Sequence, residues 1–362
     1  MTALTVAARP DKDDGPRPLP WRRMAWVTWR QHRFALAGVA VFIGAIAVGL
    51  WIVGLQLHHA YAAAIAACHQ ASSLACLGPP TARGQIAGAV GKFDGMDDFL
   101  ANGGILQVVP VLIGAFVGAP VLARELETGT FRYAWTQGFG RWRWTLGKLV
   151  LLAVAVAAAA GALSVLLYWY YQPYFNAGNQ PLELTETTPF SPTLFDLHGV
   201  AFAGWAVVAF AIAGLAGMLI RRVVPAIAAT LAVYAGLAFA TGAFLREHYL
   251  SPVVTSNPNV PVTAWIVSQW STKDGKFAFA GLPPDSLVRQ LCSGPLAGVG
   301  PGGTSKEVGL AQCLSQHGYT QWISYHPASQ FWPFQWIEGG WLLAASALLI
   351  AATVWLVRRR AA

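Results

Sequence analysis

Six stretches of this chain contain no Asp, Glu, Lys or Arg over lengths near twenty residues: 34–57, 99–123, 149–171, 199–220, 223–245 and 339–357. That pattern constrains the fold more than any other feature. A hydrocarbon layer about 30 Å thick needs roughly 20 apolar residues of α-helix. Inside it every backbone N–H and C=O must be paired within the segment. Buried helices of a water-soluble domain are the competing reading, but they are shorter or keep a polar stripe. Only 11% of the residues are charged, against about 25% in an ordinary soluble domain. The sequence therefore predicts an all-α integral membrane protein with six transmembrane helices.

Charge then orients the spans. With both termini on one side, that side holds 17 of the 24 Lys and Arg and 5 of the 16 Asp and Glu. The other side holds 7 and 11. By the positive-inside rule both termini are expected in the cytoplasm of a multi-pass plasma-membrane protein. The net charge of +8 is thus a topology signal, and no nucleic-acid partner is expected. The first span follows 33 mostly polar residues, which argues for a retained anchor over a cleaved signal peptide.

All four cysteines fall in segments assigned to the outside: Cys68 and Cys76 in the first outer loop, Cys292 and Cys313 in the third. Disulfides persist in oxidising compartments. Of three possible pairings, the local one, Cys68–Cys76 with Cys292–Cys313, closes the shortest loops. A metal site from His58, His59, Cys68 and His69 is the alternative, at a spacing that matches no standard zinc pattern. No metal site is expected.

The chain divides into a cytoplasmic arm with an interfacial helix (1–33), five spans (34–245), an extracellular segment (246–336) and a last span with a basic tail (337–362). Within the arm, PWRRMAWVTWRQHRF mixes Trp26 and Trp29 with Arg30 and Arg33. Pro20 suits a helix start, and such residues suit the lipid headgroup layer. This short helix either contacts a cytoplasmic partner or only anchors the first span. Arg221–Arg222 alone joins the fourth and fifth spans, so those two form a tight hairpin. In the extracellular segment, Asp285 caps a helix running to Cys292. Thr304 with Glu307 makes a capping box, and Gly318 ends the second helix. The expectation is a small helical hairpin stapled by Cys292–Cys313. Five aromatics in FWPFQWIEGGW, 331–341, mark an outer interface.

No catalytic constellation, no P-loop and no G-x-S-x-G or H-E-x-x-H motif occurs, so no enzyme activity is expected. The spans offer only weakly polar groups such as Gln56, Gln107, Ser164, Thr230, Tyr234 and Thr241. Ion-coupled transport needs ionisable groups at membrane depth, so energy for any transport must come from another subunit. The candidate docking element is the inner loop 124–148. It carries Glu125, Glu127, Arg132, Arg141 and Arg143, with aromatics at 131, 133, 135, 142 and 144. Arg, Trp and Tyr dominate interface hot spots. A solvated loop with an aromatic belt explains Trp142 and Trp144 but not the two glutamates.

The run Arg124-Glu125-Leu126-Glu127-Thr128-Gly129-Thr130, followed by Arg141-Trp142-Arg143 and Gly147-Lys148-Leu149, resembles the permease subunits of type-2 ABC exporters. The stretch WVTWRQHR, Trp26 to Arg33, is similar to an actinobacterial branch of them. The resemblance implies that the loop forms a coupling helix in a groove of a separate nucleotide-binding ATPase subunit. Glu125, Glu127, Thr128, Gly129, Thr130, Arg132, Arg141 and Arg143 would make that contact, with the N-terminal helix beside it. It implies no cofactor in this chain, with ATP and Mg on the partner, and a second permease copy, most simply as a homodimer in membrane lipids. The expected cargo is hydrophobic or amphipathic. A membrane sensor or resistance protein, binding a ligand outside without transport, is the other reading.

Overall fold

The structure, a computed structural model, describes residues 21–70, 92–93, 95, 105–129, 141–178, 188–191, 194–257, 260–261, 263–281, 283–292 and 313–360. Its helices are α1 (Trp21–Gln70), α2 (Ile105–Glu127), α3 (Arg141–Gly178), α4 (Gly199–Ile220), α5 (Val223–Ala240), the short α6 (Asp285–Leu291) and α7 (Phe331–Arg360). Among the described residues, six helical stretches are long and apolar enough to cross a membrane: Leu36–Ala66, Leu106–Glu127, Trp142–Asn176, Gly199–Ile220, Val223–His248 and Ala328–Arg359.

Several of these run past the uncharged stretches. Helix α1 has 50 residues, about 75 Å at 1.5 Å per residue. The arginine-tryptophan segment is therefore continuous with the first span and is not a separate interfacial helix. At its far end α1 takes in His58, His59 and Cys68, which the sequence places in a loop. His58 stacks on Trp169 of α3 at 4.5 Å between ring centroids, and its Nε2 donates to the Trp169 carbonyl at 2.8 Å.

Helix α4 is the axis of the bundle, packing against α2, α3, α5 and α7. Its buried residues run all round, from Ala201 to Met218, so it reads as apolar on every side rather than amphipathic. Small residues set the α2–α4 contact. A Cβ at Gly114 would lie 2.6 Å from the Phe210 nitrogen, and one at Gly118 would lie 2.6 Å from the Phe210 carbonyl oxygen. In a bilayer, where lipid is as apolar as leucine, such close backbone approach supplies the packing energy. These glycines serve the fold of one chain, whereas Gly38, Gly44 and Gly49 of α1 face open space. The α4–α5 hairpin is as tight as the sequence predicts. Arg221 ends α4 in the left-handed region (φ 60°), its N–H bonded to the Gly217 carbonyl.

The all-helical expectation fails between residues 253 and 326. There β1 (Val253–Thr255), β2 (Trp265–Lys273), β3 (Lys276–Ala280) and β4 (Tyr319–His326) form an antiparallel sheet in the order β1-β4-β2-β3. Strands β2 and β3 make a hairpin with Lys273 opposite Lys276. Its turn is Asp274-Gly275, both at positive φ (50° and 79°), the pair that a right-twisted two-residue hairpin requires. Of the expected helical hairpin only α6 and one turn at 313–316 are present among the described residues. Asp285 sits in the first turn of α6, after Pro284 as N-cap. Gly318 does end the second turn, at φ 79°, and sends the chain into β4. Thr304 and Glu307 lie outside the described residues.

Candidate functional site

Two clusters of charge stand out, one at each end of the bundle. At the end carrying both termini, α2 and α3 approach through a single buried cation. Lys148 is 1% exposed, and its Nζ donates to Glu125 Oε1 at 2.5 Å and to the Val121 carbonyl at 3.5 Å. The last turn of α2 is thereby tied to the first turns of α3. Helix α1 covers this joint with Thr28 and His32, one turn apart and both buried. Their Oγ1 and Nε2 have no hydrogen-bond partner among the described residues. Burial, together with the positive charges of Lys148 and Arg124, lowers the His32 pKa to about 3, so this histidine is neutral at any physiological pH. Trp142 is held between two cations, Arg143 at 5.3 Å and Arg358 of α7 at 4.9 Å. That contact fastens the end of α7 to the start of α3.

Around this base the expected docking residues separate into roles. Glu125 faces inward to Lys148, whereas Glu127, Thr128 and Arg143 are exposed. Thr128 bonds back to the Arg124 carbonyl through its N–H and its hydroxyl. Gly129 has φ +72°, and no atom lies within 4 Å of a Cβ built there. Trp26, Trp29, Arg30 and Arg33 of α1 are all exposed, and Arg30 lies 5.3 Å over the Trp26 ring. Thr130 and Arg132 lie outside the described residues, as does the Arg141 side chain.

The opposite end holds a cluster that the sequence reading missed. Arg246 is 5% exposed and Glu338 fully buried. Arg246 Nε donates to Glu338 Oε2 at 3.1 Å and Nη2 to Oε1 at 2.9 Å. Nη2 also pairs with Asp196. Trp205 Nε1 donates to Glu338 Oε1 at 2.9 Å, and the guanidinium lies 4.4 Å over the Phe195 ring. Beside it Gln335 accepts the Ala201 N–H and donates to the Phe195 carbonyl. Both Arg246 and Glu338 sit one residue outside an uncharged run, which hid them. The structure continues the helices through them, so charge does lie inside the span limits. His198, wholly buried at the start of α4, has its pKa lowered to about 4 by burial.

The sheet packs on this end through aromatics. Trp265 of β2 and His326 of β4 both meet Phe334 of α7, with ring centroids 6.0 and 4.8 Å away. Cys292 and Cys313 lie with Cα atoms 6.0 Å apart, within the reach of a disulfide. Cys76 lies outside the described residues.

A family model described as "ABC-2 membrane transporter related" matches residues 37–246, more than half of the chain. No curated protein and no solved structure matches it. The matched stretch runs from the first span through the fifth and stops at Arg246, where the sheet-bearing segment begins.

Proposed function

This chain belongs to the ABC-2 membrane transporter related family, a multi-pass membrane component of ABC transporters, and from that membership we propose that it is a permease driven by a separate ATPase subunit. The family match is the observation that carries the reading. Both termini face the cytoplasm in it, so the end with Lys148 and Glu125 meets the ATPase, and ATP with Mg is bound there and not here. The chain pairs with a second copy to enclose the path, and exports a hydrophobic or amphipathic cargo across the plasma membrane. Cys292–Cys313 and Cys68–Cys76 are bridged outside. The N-terminal segment is assigned, in this reading, to an actinobacterial branch of these permeases.

In this reading the docking element has a face and a brace. Glu127 and Arg143 form the face, on the last turn of α2 and the first turn of α3. Glu125 and Lys148 form the brace that holds those turns together. Closure of the ATPase pair on ATP pushes residues between 128 and 140, and the brace passes that push to α2 and α3 as one unit. Helix α2 is locked to α4 by close backbone contact, so the displacement reaches the axis of the bundle.

The test is co-purification with the nucleotide-binding subunit, followed by ATPase rates in lipid. Glu127→Lys/Arg143→Glu alters only exposed groups and should abolish the complex while the permease keeps its mass and melting behaviour. An unaffected complex would remove these residues from the interface. Failure to recruit any ATPase would favour ligand sensing without transport.

A further inference from the structure

A groove of about 440 Å³ opens between α1 and α2, lined by Phe34, Gly38 and Phe42 on one side and Ile113, Phe116 and Pro120 on the other. No charged or hydrogen-bonding side chain lines it. Its lining residues recur three or four apart on each helix, the spacing of one helical face. Continued by one turn toward the termini, the stripe on α2 reaches Arg124, which is exposed. On α1 the guanidinium of Arg33 lies 4.8 Å over the ring of Phe34, itself a wall of the groove. Arg124 is also close enough to α1 to depress the pKa of His32. One cation thus rests on a wall of the groove, and the other stands one helical turn beyond Pro120, the last lining residue of α2. Neither pairs with a carboxylate among the described residues. Of the acids nearest in sequence, Glu125 is bound to Lys148, and Glu127, one turn from Arg124 on the same side of α2, makes no ion pair with it.

We propose that this groove is a binding site for an anionic phospholipid, one acyl chain lying between α1 and α2 and the phosphate held by Arg33 and Arg124. An apolar groove in a bilayer fills with lipid of any kind; the arginines are what would select for negative charge. Paired forks of N–H donors suit a phosphate, and arginines near a membrane surface favour anionic lipid. A second copy of the chain is the poorer occupant. Across a two-fold contact the same patch meets itself, so four arginines would face one another with only the two Glu127 carboxylates, a turn away, near them. The site requires only that the chain spans a membrane, and it stands or falls separately from coupling to an ATPase.

The experiment uses the full chain in nanodiscs made from equal parts of phosphatidylcholine and phosphatidylglycerol, with retained lipid counted by native mass spectrometry. Phosphatidylglycerol should be enriched on the wild type. Arg33→Gln/Arg124→Gln should lower that enrichment roughly fivefold per arginine removed, and Arg33→Lys/Arg124→Lys should keep most of it. Gly38→Leu puts a side chain into the groove from a position where a Cβ meets no atom within 4 Å. It should reduce retention of both lipids. Equal retention of the two lipids by the wild type overturns the proposal, as does enrichment unchanged by Arg33→Gln/Arg124→Gln. Should Gly38→Leu break a dimer while leaving retained lipid unchanged, the groove belongs to a second copy. If Arg33→Gln/Arg124→Gln fails to fold, the single variants Arg33→Gln and Arg124→Gln decide, each expected to lower the enrichment roughly fivefold; enrichment unchanged in both overturns the proposal.

Discussion

The two ends of the bundle handle buried charge in opposite ways. At the sheet-bearing end one guanidinium is shared by two carboxylates and an aromatic face, and an indole N–H donates to one of those carboxylates, the groups coming from four separate segments of the chain. At the end with the termini a single lysine reaches a single glutamate, and the surrounding arginines and glutamates are exposed. A buried ion that lacks a partner is costly, so multiple partners hold several segments in one arrangement. One ion pair whose acid keeps slight access to water ties two helices and leaves the surrounding charges exposed. The first end is built as a fixed cap, the second as a surface able to engage something else.

The largest expected effect tests the cap. Arg246→Met leaves Glu338 and Asp196 without their cation and should cost about 3–5 kcal/mol, read as thermal unfolding in detergent. A loss under 1 kcal/mol would mean that the cluster does not hold the cap.

Acid should loosen both ends, by a sign that can be worked out. His198 and His32 have folded pKa values lowered to about 4 and about 3, below the ordinary 6.5. As pH falls from about 6.5 toward 4, the unfolded chain takes up protons that the folded chain cannot, so stability is lost. For fully buried His198 the loss approaches about 3 kcal/mol by pH 4. His198→Phe should flatten the melting profile over that range; an unchanged slope would assign the acid sensitivity elsewhere.

Lys148→Met is the matching change at the other end. Glu125 keeps some access to water, so the loss should be about 1.5–3 kcal/mol, the worth of a charged hydrogen bond. The decisive readout is coupling: ATPase stimulation should fall while the assembled complex survives. Loss of assembly instead would make Lys148 part of the docking face.

The smallest effect compares two glycines of similar backbone. Gly199, at φ +66°, would place a Cβ 2.7 Å from Gln335 Oε1, whereas Gly129, at φ +72°, faces open space. Gly129→Ala should cost about 1 kcal/mol from left-handed strain alone. Gly199→Ala adds a clash and should cost about 2 kcal/mol or more. Equal costs would mean that the cap yields as readily as the base.

Much of this could be read from residues in order along the chain. Six uncharged runs specify six membrane helices, because a bilayer tests each segment by itself for length and polarity. Arg221–Arg222 specifies a tight hairpin for the same local reason. The Asp274-Gly275 turn between WIVSQWSTK and KFAFA is a local hairpin signal too, but the cysteines and the capping residues beside it point to a helical hairpin instead. What the sequence could not supply were the partners. Glu125 and Glu127 are alike two residues apart, yet one is bound inside the protein and the other is exposed. That division depends on Lys148, 23 residues away and brought close only when α2 and α3 pack. Asp196, Arg246 and Glu338 read as three unrelated loop charges until four segments converge on them. Burial along a single segment is a local property of composition, whereas the pairing of charge is a property of helices already in contact, and only the tertiary structure decides it.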